Sequence, residues 1–492
     1  MLNTHDFYRD PEVIKRILEY CGVPAIATKN FKVKDGSLNN QLKDISKHIT
    51  VEYLSGWGEH FQRTKGKKAS SLTPEHLGVL LESDLNIFRS VWDKQKITFV
   101  MDIEYLSHKF PGEAYVNPVD TFWKMEPVYR CFWDTLQEYN ITPMTLVTGQ
   151  GYHFVFDVNS YNVSHKNPNK EVTATAKQLV ELGHVEETLK GKYEHFPEST
   201  KAQRKLELDL GKTFDSVGKL LEFITHKVMQ KLPSYGLQIP VGVGDLIPGN
   251  DRQEMINLDL STYVSPLFTR VMRTAFSIHD KHKYKNIDIL TQITIPRFTP
   301  CNGNELSLDE VFHNRRNFRN SAEYAKAITM NIPTAGHGVL KLIKDYKNSD
   351  LYKFHQDFDN TRQDHPNDWH KTYDRLNLNE VPPCIATSLA NPNPALLQPA
   401  QIQTLVRALT GKQWWHPKHV AGLIRSKYER NHDWEYNWGK YDANKHAKGW
   451  VRMYAGFLAM GLDQRTDQNC ISHQEKGLCT QSFCGYNLGD FR

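Results

Sequence analysis

The chain has 492 residues, of which 24% are charged and 39% hydrophobic, and its formal net charge is +5. That length holds about two to four domains, and the composition suits a soluble globular protein. No apolar run reaches the length of a membrane span, so no membrane-spanning helix is expected, and the mild positive balance confines any nucleic-acid footprint to a local patch.

The opening stretch "MLNTHDFYRDPEVIK" lacks a basic-then-apolar secretory pattern, which predicts an intracellular, cytoplasmic protein. "PEVIKRILEYCG" predicts a short amphipathic helix ending near Gly22. "WGEHFQRTKGKKAS" reads as a basic surface loop. "SLTPEHLGVLLESDLNIFRSVW" predicts a longer helix, with Thr73 before Pro74 at its start. From 97 the pattern turns to strands, at 97–105 and again in "MTLVTGQGYHFVFDV" at 144–158, a β-hairpin around a glycine turn. A helix, "VDTFWKMEPVYRCFWDTLQEYN", lies between them. This strand–helix–strand–strand order is that of an α+β domain. Residues 160–235 read as a polar, mostly helical insertion, 237–300 as short elements, and 305–380 as helices followed by a linker that ends at "VPPC".

Seven cysteines argue against a closed disulfide framework. Cys21, Cys131 and Cys301 are scattered, whereas Cys384, Cys470, Cys479 and Cys484 lie in the last 109 residues. In a reducing compartment, such a group suggests metal or iron–sulfur ligation.

Three stretches carry candidate chemistry. "MDIEY" places Asp102 and Glu104 two residues apart at the end of an apolar strand, so both carboxylates share one face. Like charges that close raise each other's pKa, and a divalent cation between them relieves the repulsion. The plain alternative is a solvated acidic pair at a strand end. "VTGQGYHFVF" sets His153 just past Gly149 and Gly151, glycines that let backbone N–H groups approach an anion. "MINLDLS" adds Asp259 in a further short strand.

This ordered set resembles the archaeo-eukaryotic primase superfamily, in its small catalytic subunits and primase-polymerase relatives. The family's D-x-D/E matches Asp102 and Glu104, its S/T-G…x-H matches Thr148 to His153, and its isolated acid matches Asp259. "RTAFSIHDKHKYKN" resembles the segment that supplies a basic residue and a histidine to the incoming triphosphate, which carries over to Arg273, Ser277 and His279. The likeness spans about residues 95–300. Gln150 stands where the small subunits carry arginine, Ala275 replaces a proline, and Arg270 competes with Arg273 for the basic role. The resemblance implies an α+β catalytic core with antiparallel and mixed RRM-like sheets, holding Mg²⁺ or Mn²⁺ on Asp102, Glu104 and Asp259. Two such ions stabilise the attacking and leaving oxygens in nucleotidyl transfer, and positioned donors such as His153, Arg273 and His279 neutralise the leaving pyrophosphate. Tyr105, beside the acids, is a candidate gate for the sugar.

"VPPC" and the later "NCISHQEKGLCTQSFC" are similar to the C-terminal domain of the primase large subunit, which implies a 4Fe–4S cluster on Cys384, Cys470, Cys479 and Cys484. Cys470, His473, Cys479 and Cys484 also form a C-x2-H-x5-C-x4-C set of zinc-like ligand types, which leaves Zn²⁺ open and Cys384 unexplained. Between these cysteines, Lys418, Arg425, Lys427, Arg430 and Arg452 interleave with Trp414, Trp415, Tyr428, Trp434, Trp438 and Tyr454. The pattern suits a single-stranded template, with Arg425, Lys427, Arg430 and Tyr428 as the DNA-binding candidates; a helical core with a solvated basic face is the alternative.

The expected organisation is a catalytic domain at 1–310, a polar helical linker at 311–380, and a helical cysteine domain at 381–492 that engages template and initiating nucleotide. The expected activity is a DNA primase making primers de novo from NTPs or dNTPs on single-stranded DNA, with a replicative helicase or polymerase as candidate partners. A primase-polymerase acting in extension or damage tolerance, and a non-catalytic template-binding protein, are the alternatives.

Overall fold

The structure is a computed structural model that describes residues 3–58, 72–93, 95–160, 170–186, 189–190, 208–244, 251–287, 289, 291–413, 415–430, 442–463, 469–481 and 483–490. It is an α+β fold with 55% helix and 14% strand, so helices must cover mixed and antiparallel sheets. No helix among the described residues is long and apolar enough to cross a membrane.

The central sheet has six strands in the order β11 (Ile295–Phe298), β4 (Met144–Val147), β5 (Gly151–Asn159), β3 (Lys96–Ser107), β7 (Glu254–Asp259) and β6 (Val241–Gly242). The β6–β7 pair is parallel and the other pairs are antiparallel. β4 and β5 form the expected hairpin, closed by a bond from the Thr148 N–H to the Gly151 carbonyl of 2.8 Å. Gly151 is required by close approach of strands: a Cβ there would lie 1.8 Å from the Ile103 carbonyl oxygen.

β3 shows the two-residue period of a strand. Ile97, Phe99, Met101, Ile103 and Tyr105 are buried on one face. That face is shared with Tyr152, Phe154 and Phe156 of β5, and the helix Pro118–Gln137 packs on it through Phe122, Tyr129 and Phe132. Thr98 and Val100 begin the other face as buried residues, and Val100 is held by the Tyr263 hydroxyl, which accepts from its N–H at 2.9 Å. Tyr263 packs in turn on Phe214 of the long helix Leu208–Lys231. Further along, this cover ends, and Asp102 and Glu104 are only half-buried.

A smaller antiparallel sheet joins β1 (Leu54–Trp57), β2 (Asn86–Ser90) and β8 (Val271–Arg273), and a two-stranded ribbon joins β9 (Ile278–His279) to β10 (Gln292–Ile293). The longer helix expected over 71–92 stops at Glu82. Asp84 takes a φ of 51°, which breaks the helix, and the β-branched and aromatic residues that follow become β2 because β1 and β8 flank it. Most of the wettest part of the expected insertion, 186–209, and most of the basic loop at 57–70 lie outside the described residues.

A layer of helices is held to Leu208–Lys231 by buried charges. Asp215 meets Lys219 at 3.1 Å, Lys445 at 2.9 Å and Arg452 at 3.2 Å, and Glu222 meets His355 at 3.1 Å. Burial alone would raise the Asp215 pKa, but these three cations hold it well below the usual carboxylate range. Lys445 and Arg452 belong to the helix Ala443–Ala459, and His355 to the helix Asp350–Asn360.

Candidate active site

The register of the central sheet brings the acids together. Asp102 lies directly opposite Asp259 on β7 and directly opposite His153 on β5, so His153, Asp102 and Asp259 form a row across three strands. Glu104 is two residues further on the same face. Oxygens of Asp102, Glu104 and Asp259 lie within 4.8 Å of one another. Among the described residues this is the one group of three or more acidic, histidine or cysteine side chains with ligand atoms that close.

His153 Nε2 faces Asp102 Oδ2 at 3.3 Å. Asp102 Oδ1 and His153 Nδ1 are buried without a hydrogen-bond partner, so each keeps capacity for a ligand. Asp259 is fixed by Ser261, whose backbone N–H donates to Oδ1 at 2.7 Å and whose hydroxyl donates to Oδ2 at 3.0 Å. Burial, then the charge of Asp102, raises the Asp259 pKa, against the Ser261 bonds and the Arg270 guanidinium. Crowded carboxylates of this kind favour a divalent cation: an octahedral Mg²⁺ with oxygens at about 2.0–2.1 Å sets them about 3–4 Å apart.

Tyr105 lies on the opposite face of β3 from the acids, where its hydroxyl donates to Glu254 at 2.5 Å, so it does not face the sugar of a nucleotide held by them. Strand alternation forces this placement.

Beside the acids lies the turn from Thr148 to Gly151. Thr148 is buried, and its hydroxyl donates to the Gly151 carbonyl at 3.2 Å. Gly149 seats the ring of His279, whose Cε1 would lie 2.1 Å from a Cβ at that position. Tyr115 packs on the same ring at 5.9 Å, and its hydroxyl donates to Gln150 at 3.4 Å. Burial, then Arg273, Arg315, Lys281 and His282, hold the His279 pKa well below its ordinary value, so the imidazole is neutral at pH 7. It is therefore a neutral hydrogen-bonding group there, and any positive charge in that pocket comes from the neighbouring bases.

The rest of that motif is woven into the fold. Ser277 is buried; its hydroxyl accepts from the Ile87 N–H at 2.8 Å and donates to the Ile278 carbonyl at 3.1 Å. Arg273 donates to Asn86 at 2.5 Å and to the Ile278 carbonyl at 2.7 Å, with its guanidinium 4.6 Å from the Phe88 ring centroid. Phe276 between them holds a φ of 56°, a strained value for a bulky residue that the bond from its N–H to Thr294 fixes. Arg270 instead faces Asp259; burial draws its pKa down to about 10, against the pull of that carboxylate.

The C-terminal cysteines share one cavity. Cys384, Cys470, Cys479, Cys484 and His473 line it with Pro382, Pro383 and Tyr486. Burial, with further contributions from neighbouring Cys479 and Cys470, pushes the Cys384 thiol up to about 12. The His473 Nε2 is engaged with the Thr404 hydroxyl at 2.9 Å. No three of these ligand atoms approach within 4.8 Å of one another.

The basic candidates of the helix Pro417–Arg430 are paired. Arg430 donates to both oxygens of Asp374 at 2.6 and 2.7 Å, Lys427 reaches the same carboxylate at 3.2 Å, and Arg425 pairs with Glu429 at 2.5 Å. Tyr428 is half-buried on the same helix. Lys418 is buried against Phe358, 4.7 Å from its ring centroid, while Arg452 and Tyr454 belong to the core. Trp414, Trp434 and Trp438 lie outside the described residues.

Tyr115 and Arg315 lie in no motif of the sequence, and Ser261 closes the stretch that carries Asp259 without being marked there by its residue type. Comparison of this chain with protein-family models, with curated proteins and with solved structures finds no match.

Proposed function

We propose that the chain is a template-directed nucleotidyltransferase of the primase type, which starts short primers de novo from nucleoside triphosphates on single-stranded DNA. The observation that carries this reading is the convergence of Asp102, Glu104 and Asp259 within 4.8 Å at the uncovered end of the sheet face. Three carboxylates are a sensible minimum for a pair of Mg²⁺ or Mn²⁺ ions. When bound, such ions stabilise both the attacking and the leaving oxygen of an in-line displacement at phosphorus. His153 orients Asp102, Ser261 orients Asp259, and the Thr148–Gly151 turn, with His279 against Gly149, adjoins Glu104 across β3 and β5, which makes these groups the candidates to receive a triphosphate. The attacking 3′-hydroxyl comes from the first nucleotide or the primer, so no protein nucleophile is required.

For the cysteine cavity an iron–sulfur cluster is the better fit. A tetrahedral zinc with bonds of about 2.3 Å needs sulfurs about 3.8 Å apart. The cysteines and His473 do not approach that closely in any set of three. A 4Fe–4S cluster binds its thiolates on separate irons and therefore further apart. Cys384, Cys470, Cys479 and Cys484 would hold it, tying the helix Pro383–Ala390 to the segment after Asn469.

The test is synthesis on a single-stranded DNA template with nucleoside triphosphates and Mn²⁺, with and without a primer. Products without primer support the proposal. Extension alone supports a primase-polymerase, and template binding without any product overturns both.

A further inference from the structure

Arg315 ends the helix Leu308–Arg315, far in sequence from every motif above. Its side chain is among the largest that are fully buried, with the residue 1% exposed. Among the described residues no carboxylate pairs with it. Its Nη2 donates to Gln292 at 2.6 Å, and its Nε and Nη1 have no hydrogen-bond partner. Its guanidinium carbon lies 5.8 Å from the Phe122 ring centroid. Burial draws its pKa down to about 9, yet a guanidinium remains charged at neutral pH. A buried cation in this state is costly to the free protein.

The surroundings give that cost a direction. Gln292 is the register partner of His279 across β9 and β10. The His279 ring lies against Gly149 and Tyr115, and its Nδ1 has no partner. The charged and titratable groups that act on His279 are Arg273, Arg315, Lys281 and His282, all bases. The nearby acids are Asp280, tied to Asn86 on the β2 side, and Glu104, which lies opposite Gly151 and acts on Tyr115. A positive field therefore converges behind the Thr148–Gly151 turn, with one of its sources left without a protein counter-charge.

We propose that Arg315 is a positioning residue for a bound polyphosphate: through Gln292 and His279 it fixes the imidazole at the turn and supplies positive potential to the triphosphate of the incoming nucleotide. This rests on the nucleotidyltransferase reading for the identity of the ligand. The buried charge lowers the stability of the free chain and is compensated when the anion binds, which is how a site pre-organised for charge behaves.

The probe is inorganic tripolyphosphate without metal, titrated calorimetrically into the full chain, with melting temperatures read alongside. Arg315→Met is expected to weaken tripolyphosphate binding about tenfold and to melt no lower than wild type without ligand. Arg315→Lys is expected to recover most of the affinity. In primer synthesis, Arg315→Met raises KM for the nucleotide with kcat changed less than about twofold. An unchanged tripolyphosphate affinity in Arg315→Met overturns the inference, as does a chain that melts well below wild type, which makes Arg315 a structural residue. Wild-type tripolyphosphate binding that depends on Arg315, without any polynucleotide product, keeps the anion site and overturns the nucleotidyltransferase reading instead.

Discussion

Asp259→Asn removes one charge from the crowded acids while leaving the shape of the site. Charges within 4.8 Å repel by about 3 kcal/mol at an effective dielectric of about 20. The Asp102 side chain is 24% exposed, so water reduces this to about 1–2 kcal/mol. The Ser261 N–H keeps its acceptor in the amide, so little is lost in exchange. Unfolding entropy of about 2.1 cal/mol/K per residue over this length makes 1 kcal/mol worth about 1 °C. Asp259→Asn is therefore expected to melt about 1–2 °C above wild type at pH 7 without metal. The sign follows from the raised Asp259 pKa, set by burial and then Asp102. Such an acid contributes its stability fully below the unfolded value of about 3.9 and loses it as pH rises through the folded value, so the advantage of the amide vanishes in acid. Mn²⁺ at about 100 times its Kd adds about 2.7 kcal/mol to wild type and much less to the variant. Scanning fluorimetry across pH, with and without Mn²⁺, reads all of this. A variant that melts lower than wild type at pH 7 and keeps the full Mn²⁺ shift refutes the reasoning.

Asp374 is held down to about 2 by the Arg430 hydrogen bond first and by Lys427, and it competes with phosphate for both cations. Asp374→Asn is expected to bind a single-stranded oligonucleotide more tightly, with a log–log salt slope steeper by about 1; fluorescence anisotropy at several salt concentrations checks it, and an unchanged slope removes Lys427 and Arg430 from the template path. Gly149→Ala drives a methyl to 2.1 Å from the buried His279 ring, so it is expected to cost about 1–3 kcal/mol in denaturant unfolding and to impair nucleotide use. Cys384→Ser, purified without oxygen, is expected to lose the broad blue-region absorbance of an iron–sulfur protein; a colourless wild-type protein with stoichiometric zinc contradicts that assignment.

What the sequence makes legible here is what strand geometry transmits locally. The two-residue period places Asp102 and Glu104 on one face, and the β4–β5 hairpin around Gly149 and Gly151 is readable from its turn and alternation. β2 is not readable in the same way: its residues continue an apolar pattern from the preceding helix, and only partners at Leu54–Trp57 and Val271–Arg273 make it a strand. Side-chain commitments are hidden for the same reason. Arg273 is engaged by Asn86, nearly two hundred residues away in sequence, and Lys427 and Arg430 by Asp374 on a different element. Arg315 reaches the His279 pocket only because its helix packs beside β11 and the helix Pro118–Gln137. Motifs mark the residue types; long-range packing decides which charges remain available.

Primer synthesis by this chain requires Asp102, Glu104 and Asp259 to hold divalent ions in common. Diffraction from crystals soaked in Mn²⁺, recorded at the manganese absorption edge, tests it most directly. An anomalous peak bonded to oxygens of all three residues is expected in wild type, with its loss in Asp102→Ala crystals of the same fold. Mn²⁺ bound elsewhere, with these three side chains unligated at saturating metal, would contradict it.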